Sequence, residues 1–363
     1  MQLAKAAVFD FALVGSSVKA HIIAGLLAKR HKKRVCLIAR RTSQHQLVRN
    51  FELSFDCVTR PETWNMLAAL DPESTKLLTL IGGRRCLMRI NPLIICHTKA
   101  SHDALAHIHH LAGKSGYEME RLAGSCGSGA PIGFRLRGAR VLRHNILWPA
   151  MLSWLEKNGV EIIEPSQRQI LFHRDGGGLI SNGGSKIEAA NIVLADDEAV
   201  LEHAGKNDRE RFFITCKATS VTSAPSARFS DQFILSPEHK FAAMAKKKGQ
   251  MEFLALVGAG DMPALINANV ALEKNVLRAG QSSFDTLMPH NGAPVAGKLG
   301  RSNFLVLCGF GYAGAYFAPA LARFLVDECT QQEKDYFEPR CANSARRSNE
   351  VAEFQQVMAA EGK

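Results

Sequence analysis

Phe11 to Arg30, FALVGSSVKAHIIAGLLAKR, decides the fold, because it passes from an apolar run through a tight turn into an apolar helix. Val8 to Val14 is nearly continuous in apolar residues, the pattern of a parallel strand buried on both faces. Gly15-Ser16-Ser17 supplies turn chemistry, and a helix is predicted from Val18 to Arg30, with Ile22, Ile23, Leu26 and Leu27 at helical spacing. Arg34 to Ile38 (RVCLI) then reads as a second strand, completing a βαβ unit of the roughly 30-residue length that parallel pairing requires.

The same strand, glycine turn, helix order returns near the other end. Ser302 to Leu307 is an apolar strand, Gly309-Phe310-Gly311-Tyr312-Ala313-Gly314 is a complete G-x-G-x-x-G, and an apolar helix is expected from Ala315 to Cys329. In that context the glycines let backbone approach a pyrophosphate or a flavin edge, although a tight strand-to-helix packing turn needs the same glycines for steric reasons. The first turn keeps only Gly15. Ser17 stands at the close-approach position, Ala20 at the helix-packing position, and Ala39 where an acid would hold ribose hydroxyls. The Arg40-Arg41 pair that follows can bind a phosphate bidentately or lie solvated at the sheet edge.

Between the two glycine turns the pattern is mixed. Residues 42 to 138 read as helix and loop, with helices over Glu62–Leu70, Pro72–Ile81 and His102–Gly116 and a small-residue loop over Ser125–Pro131. A helix from Arg143 ends at Asn158-Gly159, with Trp148, Met151, Leu152 and Leu155 on its apolar face, and leads into the strand Val160–Ile163. Gln169–His173 and Leu179–Ser181 flank Asp175-Gly176-Gly177-Gly178 as a hairpin would, before the buried strand Asn191–Ala195 (NIVLA). Phe212–Thr222, Gln232–Leu235 and Glu252–Val257 have the composition of an antiparallel layer, and a peripheral helix is expected over Asn349–Ala360.

The 363 residues exceed one core of about 100–200 residues, so two domains are expected. The fold class is α/β: a Rossmann-like nucleotide-binding domain with an interleaved β-rich, antiparallel-sheet substrate domain. The first is assigned residues 1–50, 135–210 and 285–330, the second 51–134 and 211–284, and 331–363 form a tail. The formal net charge of +11 favours anionic partners, but the basic residues fall in short runs without the interleaved aromatics that stack on bases, so no nucleic acid is expected. Nine cysteines without a C-x-x-C pair or a signal peptide point to reduced thiols and a cytoplasmic setting, with Cys36 and Cys308 acting as small hydrophobes. No apolar run approaches the ~18–20 residues of a spanning helix.

Other chemistry finds little purchase. His102, His107, His109 and His110 share one predicted helix, but no further converging ligand supplies a metal site. Asp196-Asp197-Glu198 reads as an acidic helix start, not as a catalytic pair, and neither a G-x-S-x-G elbow nor a G-K-[ST] loop is present.

The order of these segments resembles the flavoprotein family of D-amino-acid oxidase, glycine oxidase and sarcosine oxidase. FALVGSSVKAHIIAGLLAKR is similar to that family's FAD-binding opening, and RVCLIARR to its second strand with Ala39 in place of Glu. ARVLRHNILWPAMLSWLEKNGVEIIE is similar to its mid-chain helix and strand, and NIVLADD to its returning strand. Met288 to Glu328 carries its proline-x-x-glycine-x-proline-x-x-glycine lead-in, strand, glycine turn and closing helix. The resemblance implies FAD lying extended, with its pyrophosphate at Gly15, Ser16 and Ser17, its ribose near Ala39, Arg40 and Arg41, and its isoalloxazine near Gly309 to Gly314. It further implies oxidation of an amine or amino acid by hydride transfer to the flavin, no catalytic side chain being identified. The departures are Ser17, Ala20, Ala39, His290 in the lead-in, and no substrate-clamping arginine in QSSFDTL. They leave a second expectation: a catalytically inactive relative that has lost FAD and serves as a structural or regulatory subunit. Homo- and hetero-oligomers are both compatible with the sequence.

Overall fold

The computed structural model describes residues 7–40, 47–122, 132–165, 168–173, 177–182, 185–225, 233–246, 249–270, 277–299 and 304–341. Arg41, the Ser125–Pro131 loop and the expected Asn349–Ala360 helix lie outside the described residues. The chain opens with β1 (Ala7–Val14), α1 (Val18–Lys29), β2 (Val35–Ile38), α2 (Pro61–Gly82), β3 (Leu87–Ile90), β4 (Leu93–Cys96), α3 (Lys99–Lys114), β5 (Met119–Leu122) and β6 (Ile132–Leu136). It continues through β7 (Ala139–Leu142), α4 (His144–Lys157), β8 (Glu161–Ile163), β9 (Arg168–Phe172), β10 (Gly178–Asn182), β11 (Ser185–Leu194), α5 (Asp197–His203) and α6 (Lys206–Phe212). It closes with β12 (Phe213–Ser223), β13 (Phe233–Ser236), β14 (Phe241–Ala245), β15 (Met251–Ala255), α7 (Met262–Asn269), β16 (Arg278–Pro289), β17 (Val295–Lys298), β18 (Leu305–Cys308), α8 (Gly314–Leu325) and α9 (Gln331–Phe337).

The first sheet has the order β17-β18-β11-β1-β2-β8, with β9 and β10 paired off β11 as the expected hairpin. From β18 to β8 the pairs are parallel, and β17 closes the edge antiparallel to β18. Phe11 to Val14 are buried on both faces, as the apolar run requires. One face carries α1, α2, α4 and α8, whose side chains share a core with Phe11, Leu13, Leu37 and Leu307. The other carries α5 and α6, packed on Ala12, Val14, Ile192 and Val306.

The second sheet has the order β16-β12-β15-β14-β13-β4-β6-β5, antiparallel except for the β13–β4 pair. Three of its strands fall where the sequence suggests helix and loop: β4, β5 and β6. Each is only four or five residues long, too short to show an alternation of its own. The two helices expected over 62–81 are one, because Pro72 sits inside α2 without ending it. Leu152, expected on the apolar face of α4, is exposed.

Candidate active site

Three neighbouring parallel strands, β18, β11 and β1, end on the same edge of the first sheet, so the residues that follow them, Gly309, Asp196 and Gly15, converge. On the two sides of β11 and β1 the chain crosses over in opposite directions, and a crevice at such a switch point is where open α/β sheets receive ligands. A cleft of about 850 Å³ lies there, walled by the strand ends and, opposite, by Met244, Leu254 and Phe284 of the second sheet and by Lys240, just before β14. Ser16, Ser17 and Arg40 line it at one end, and Gly309, Phe310, Gly311, Tyr312 and Gly314 at the other. Gly15, Ala39 and Ala313 are buried in the wall behind. The structure therefore brings the two glycine turns to a single cavity.

At the first turn Ser17 caps α1, its hydroxyl accepting from Ala20 N at 3.3 Å. The backbone N–H groups of Ser16 and Ser17 point to one acceptor, Oδ2 of Asp196, at 2.6 and 3.0 Å. The other oxygen, Oδ1, accepts from Ala199 N at 3.0 Å and caps α5. A Cβ at Gly15, whose φ is +153°, would stand 2.7 Å from Oδ2. Burial raises the Asp196 carboxyl above its ordinary range, while the hydrogen bonds and Lys19 lower it. Above this turn Arg40 pairs with Glu198 at 2.7 Å, and Arg49 binds the other Glu198 oxygen at 2.9 Å. Arg40 is thus held by carboxylates of α5.

The second turn has the same construction. Gly309 and Gly311 adopt φ of +77° and +54°, and a Cβ on Gly309 would meet Pro289 Cγ at 2.5 Å. Tyr312 N donates to Asp56 Oδ2 at 3.1 Å, and Ala315 N, in the first turn of α8, donates to Glu52 Oε2 at 2.9 Å. A Cβ on Gly311 would lie 1.8 Å from Asp56 Oδ2. Burial lifts Glu52 to about 7, against the hydrogen bonds from Ala315 and Asn50 and the charge of Lys19. Lys19 is buried between the turns, its Nζ donating to Leu307 O at 2.7 Å and standing 4.7 Å from the Phe310 ring centre. Burial lowers its pKa, while Cys308, Asp197, Asp196 and Glu52 raise it.

Asp197 ties the two sheets. It accepts from Thr286 Oγ1 at 2.6 Å, Leu287 N at 3.1 Å and Cys308 Sγ at 2.9 Å. The Cys308 thiol is pushed well up by burial and by Asp197, to which it donates. On α3, His109 Nε2 bonds to Met119 O at 3.0 Å, and no set of three or more metal-binding side chains occurs among the described residues.

FAD does not fit this arrangement as built. Its pyrophosphate needs the N–H groups at the start of α1, and those of Ser16 and Ser17 already bind a carboxylate. Two like charges 4 Å apart repel by ~4 kcal/mol at an effective dielectric of 20, so a diphosphate beside ionised Asp196 faces a penalty of that order for each close pair. Ala39 offers no ribose acceptor, and the Arg40–Glu198–Arg49 bridge joins the end of β2 to α5 over the same turn. The carboxylates Asp196, Glu52 and Asp56 are the residues that sequence reasoning missed. Asp196 was visible as an acidic helix start, but its partners Ser16 and Ser17 lie 180 and 179 residues away.

No sequence-family description and no curated protein sequence matches this chain. Solved structures do match its fold. L-proline dehydrogenase from P. horikoshii superposes with a TM-score of 0.69 at 13% identity, over 92% of this chain and 97% of that one. Glycine oxidase from Geobacillus kaustophilus does so with a TM-score of 0.67 at 16% identity, over 88% and 94%. L-amino acid deaminase from Proteus vulgaris, lacking its specific insertion sequence, gives a TM-score of 0.70 at 11% identity, over 94% and 95%. At these identities the likeness carries the architecture alone: the chain has the α/β fold of amino-acid oxidases and dehydrogenases.

Proposed function

We propose that this chain uses the cleft of an amine or amino-acid oxidoreductase fold to bind a small amine or amino-acid ligand without a flavin dinucleotide. The observation that carries the reading is the Asp196 carboxylate on Ser16 N and Ser17 N, inside the crevice where a dinucleotide would lie. The cleft lining interleaves acids, Glu52, Asp56, Asp197 and Glu252 among them, with Lys19, Arg40, Arg49, Arg143, Lys240 and Lys246. Such mixed charge suits a zwitterion. Met88, Leu254, Phe284 and Leu287 offer apolar cover for a side chain.

FAD-dependent oxidation of an amine or amino acid, with hydride passing to the flavin, is the competing reading. The continuity of the cleft from Ser16 to Gly314 and the solved oxidases of like fold support it, and those likenesses lend the flavin-free reading no weight of their own. One assay separates the two. The full chain, incubated with FAD, is given a panel of amines and amino acids with an artificial electron acceptor, and thermal unfolding is followed with the same panel. The flavin-free reading expects no substrate-dependent reduction and a raised unfolding midpoint with at least one panel member. Substrate-dependent reduction, or a midpoint that responds to FAD and to no panel member, would overturn it.

A further inference from the structure

We infer that the Asp196 carboxylate is an internal substitute for a bound pyrophosphate, fastening the Gly15 turn to α5 from within the chain. The inference rests on the flavin-free reading and explains something that reading leaves open: what the glycines at 15 and 311 make room for. At each turn the glycine makes room for a carboxylate from a distant part of the chain. A Cβ at Gly15 would meet Asp196 Oδ2 at 2.7 Å and Cγ at 2.9 Å, and one at Gly311 would meet Asp56 Oδ2 at 1.8 Å. At each turn backbone N–H groups at the approach to a helix find their acceptor in such a carboxylate, Ser16 and Ser17 in Asp196, Tyr312 in Asp56 and Ala315 in Glu52. The N–H groups so supplied have no need of an external anion. Lys19, buried between the two turns and bonded to Leu307 O, interacts electrostatically with both Asp196 and Glu52. Both oxygens of Asp196 are used, since Oδ1 also caps α5 through Ala199 N.

The test is Asp196→Ser in the full chain. Serine is itself a good helix cap and keeps the bond to Ala199 N within reach, but its shorter side chain vacates the Ser16 and Ser17 N–H groups. Thermal unfolding is measured with inorganic pyrophosphate, and with chloride at equal ionic strength as the control. The expected result is a midpoint several degrees below wild type in chloride, raised again by pyrophosphate in D196S and unmoved by it in the wild type. No pyrophosphate-specific rise in D196S, or an equal rise in the wild type, would overturn the inference. If D196S is recovered only as insoluble chain, its refolding with and without pyrophosphate is the same test: recovery that depends on pyrophosphate supports the inference, and none with it refutes it. The two claims fail differently. A wild type that takes up FAD sinks the flavin-free reading, whereas a flavin-free wild type with an unresponsive D196S sinks only the substitution.

Discussion

Glu52 has almost no access to water, and its ionisation therefore writes a pH dependence into the fold. Burial raises its carboxyl to about 7 from an ordinary 4.5. A carboxyl whose folded pKa lies above its unfolded one contributes stability that is complete below about 4.5 and lost as pH rises through about 7. Glu52→Gln keeps an oxygen for Ala315 N but cannot ionise. Relative to that variant, the wild type is expected to lose stability between these two pH values, by about 3 kcal/mol at one pKa unit per ~1.4 kcal/mol. Denaturant unfolding across the range checks it, and a constant difference between the two proteins would contradict it. Neither Glu52 nor Asp56 is marked in the sequence, since NFELSFDC has no motif and no period. What was legible at this scale was loss: Ser17, Ala20 and Ala39 stand where a dinucleotide wants other residues. The carboxylate on the first turn was not, because Asp196 meets Ser16 only when strands 180 residues apart lie side by side.

Helix α1 shows how far a single position governs the packing of an element. It is buried on all sides, and Gly25 faces Trp154 of α4 so closely that a Cβ would fall 1.9 Å from the ring carbon Cζ3. Gly25→Ala gains helix propensity but must displace the indole or part the helices, so a net loss of ~1–3 kcal/mol is expected in denaturant unfolding. A neutral or stabilising change would show that α1 and α4 can separate without cost. Elements with a long apolar run were readable in advance, as β1, α1, β11 and α8 are, and the short β18 was readable because its apolar run leads straight into a glycine turn and an apolar helix. Four-residue strands such as β4 and β5 were not, since so short a run has the same composition as a loop. The twelve-residue β16 escaped for another reason: most of it is exposed or half-buried, and its register comes from the β12 pairing, not from its own side chains.

Over the whole molecule, the two glycine turns meet because β18, β11 and β1 are parallel neighbours, and that convergence was foreseeable from two strand–glycine–helix units. The α/β class followed from the same pattern, and the second, antiparallel sheet from the strand character of Phe212–Thr222, Gln232–Leu235 and Glu252–Val257. The net charge of +11 says little about the cleft, whose lining places acids and bases side by side. The central claim is that the chain's own carboxylates hold the seats a dinucleotide's anionic groups would take. Equilibrium dialysis of the purified full chain against FAD, read by visible flavin absorbance, tests it most directly. The expected result is no flavin in the protein compartment beyond that in the bath; a stoichiometric excess of flavin with the protein would contradict the claim.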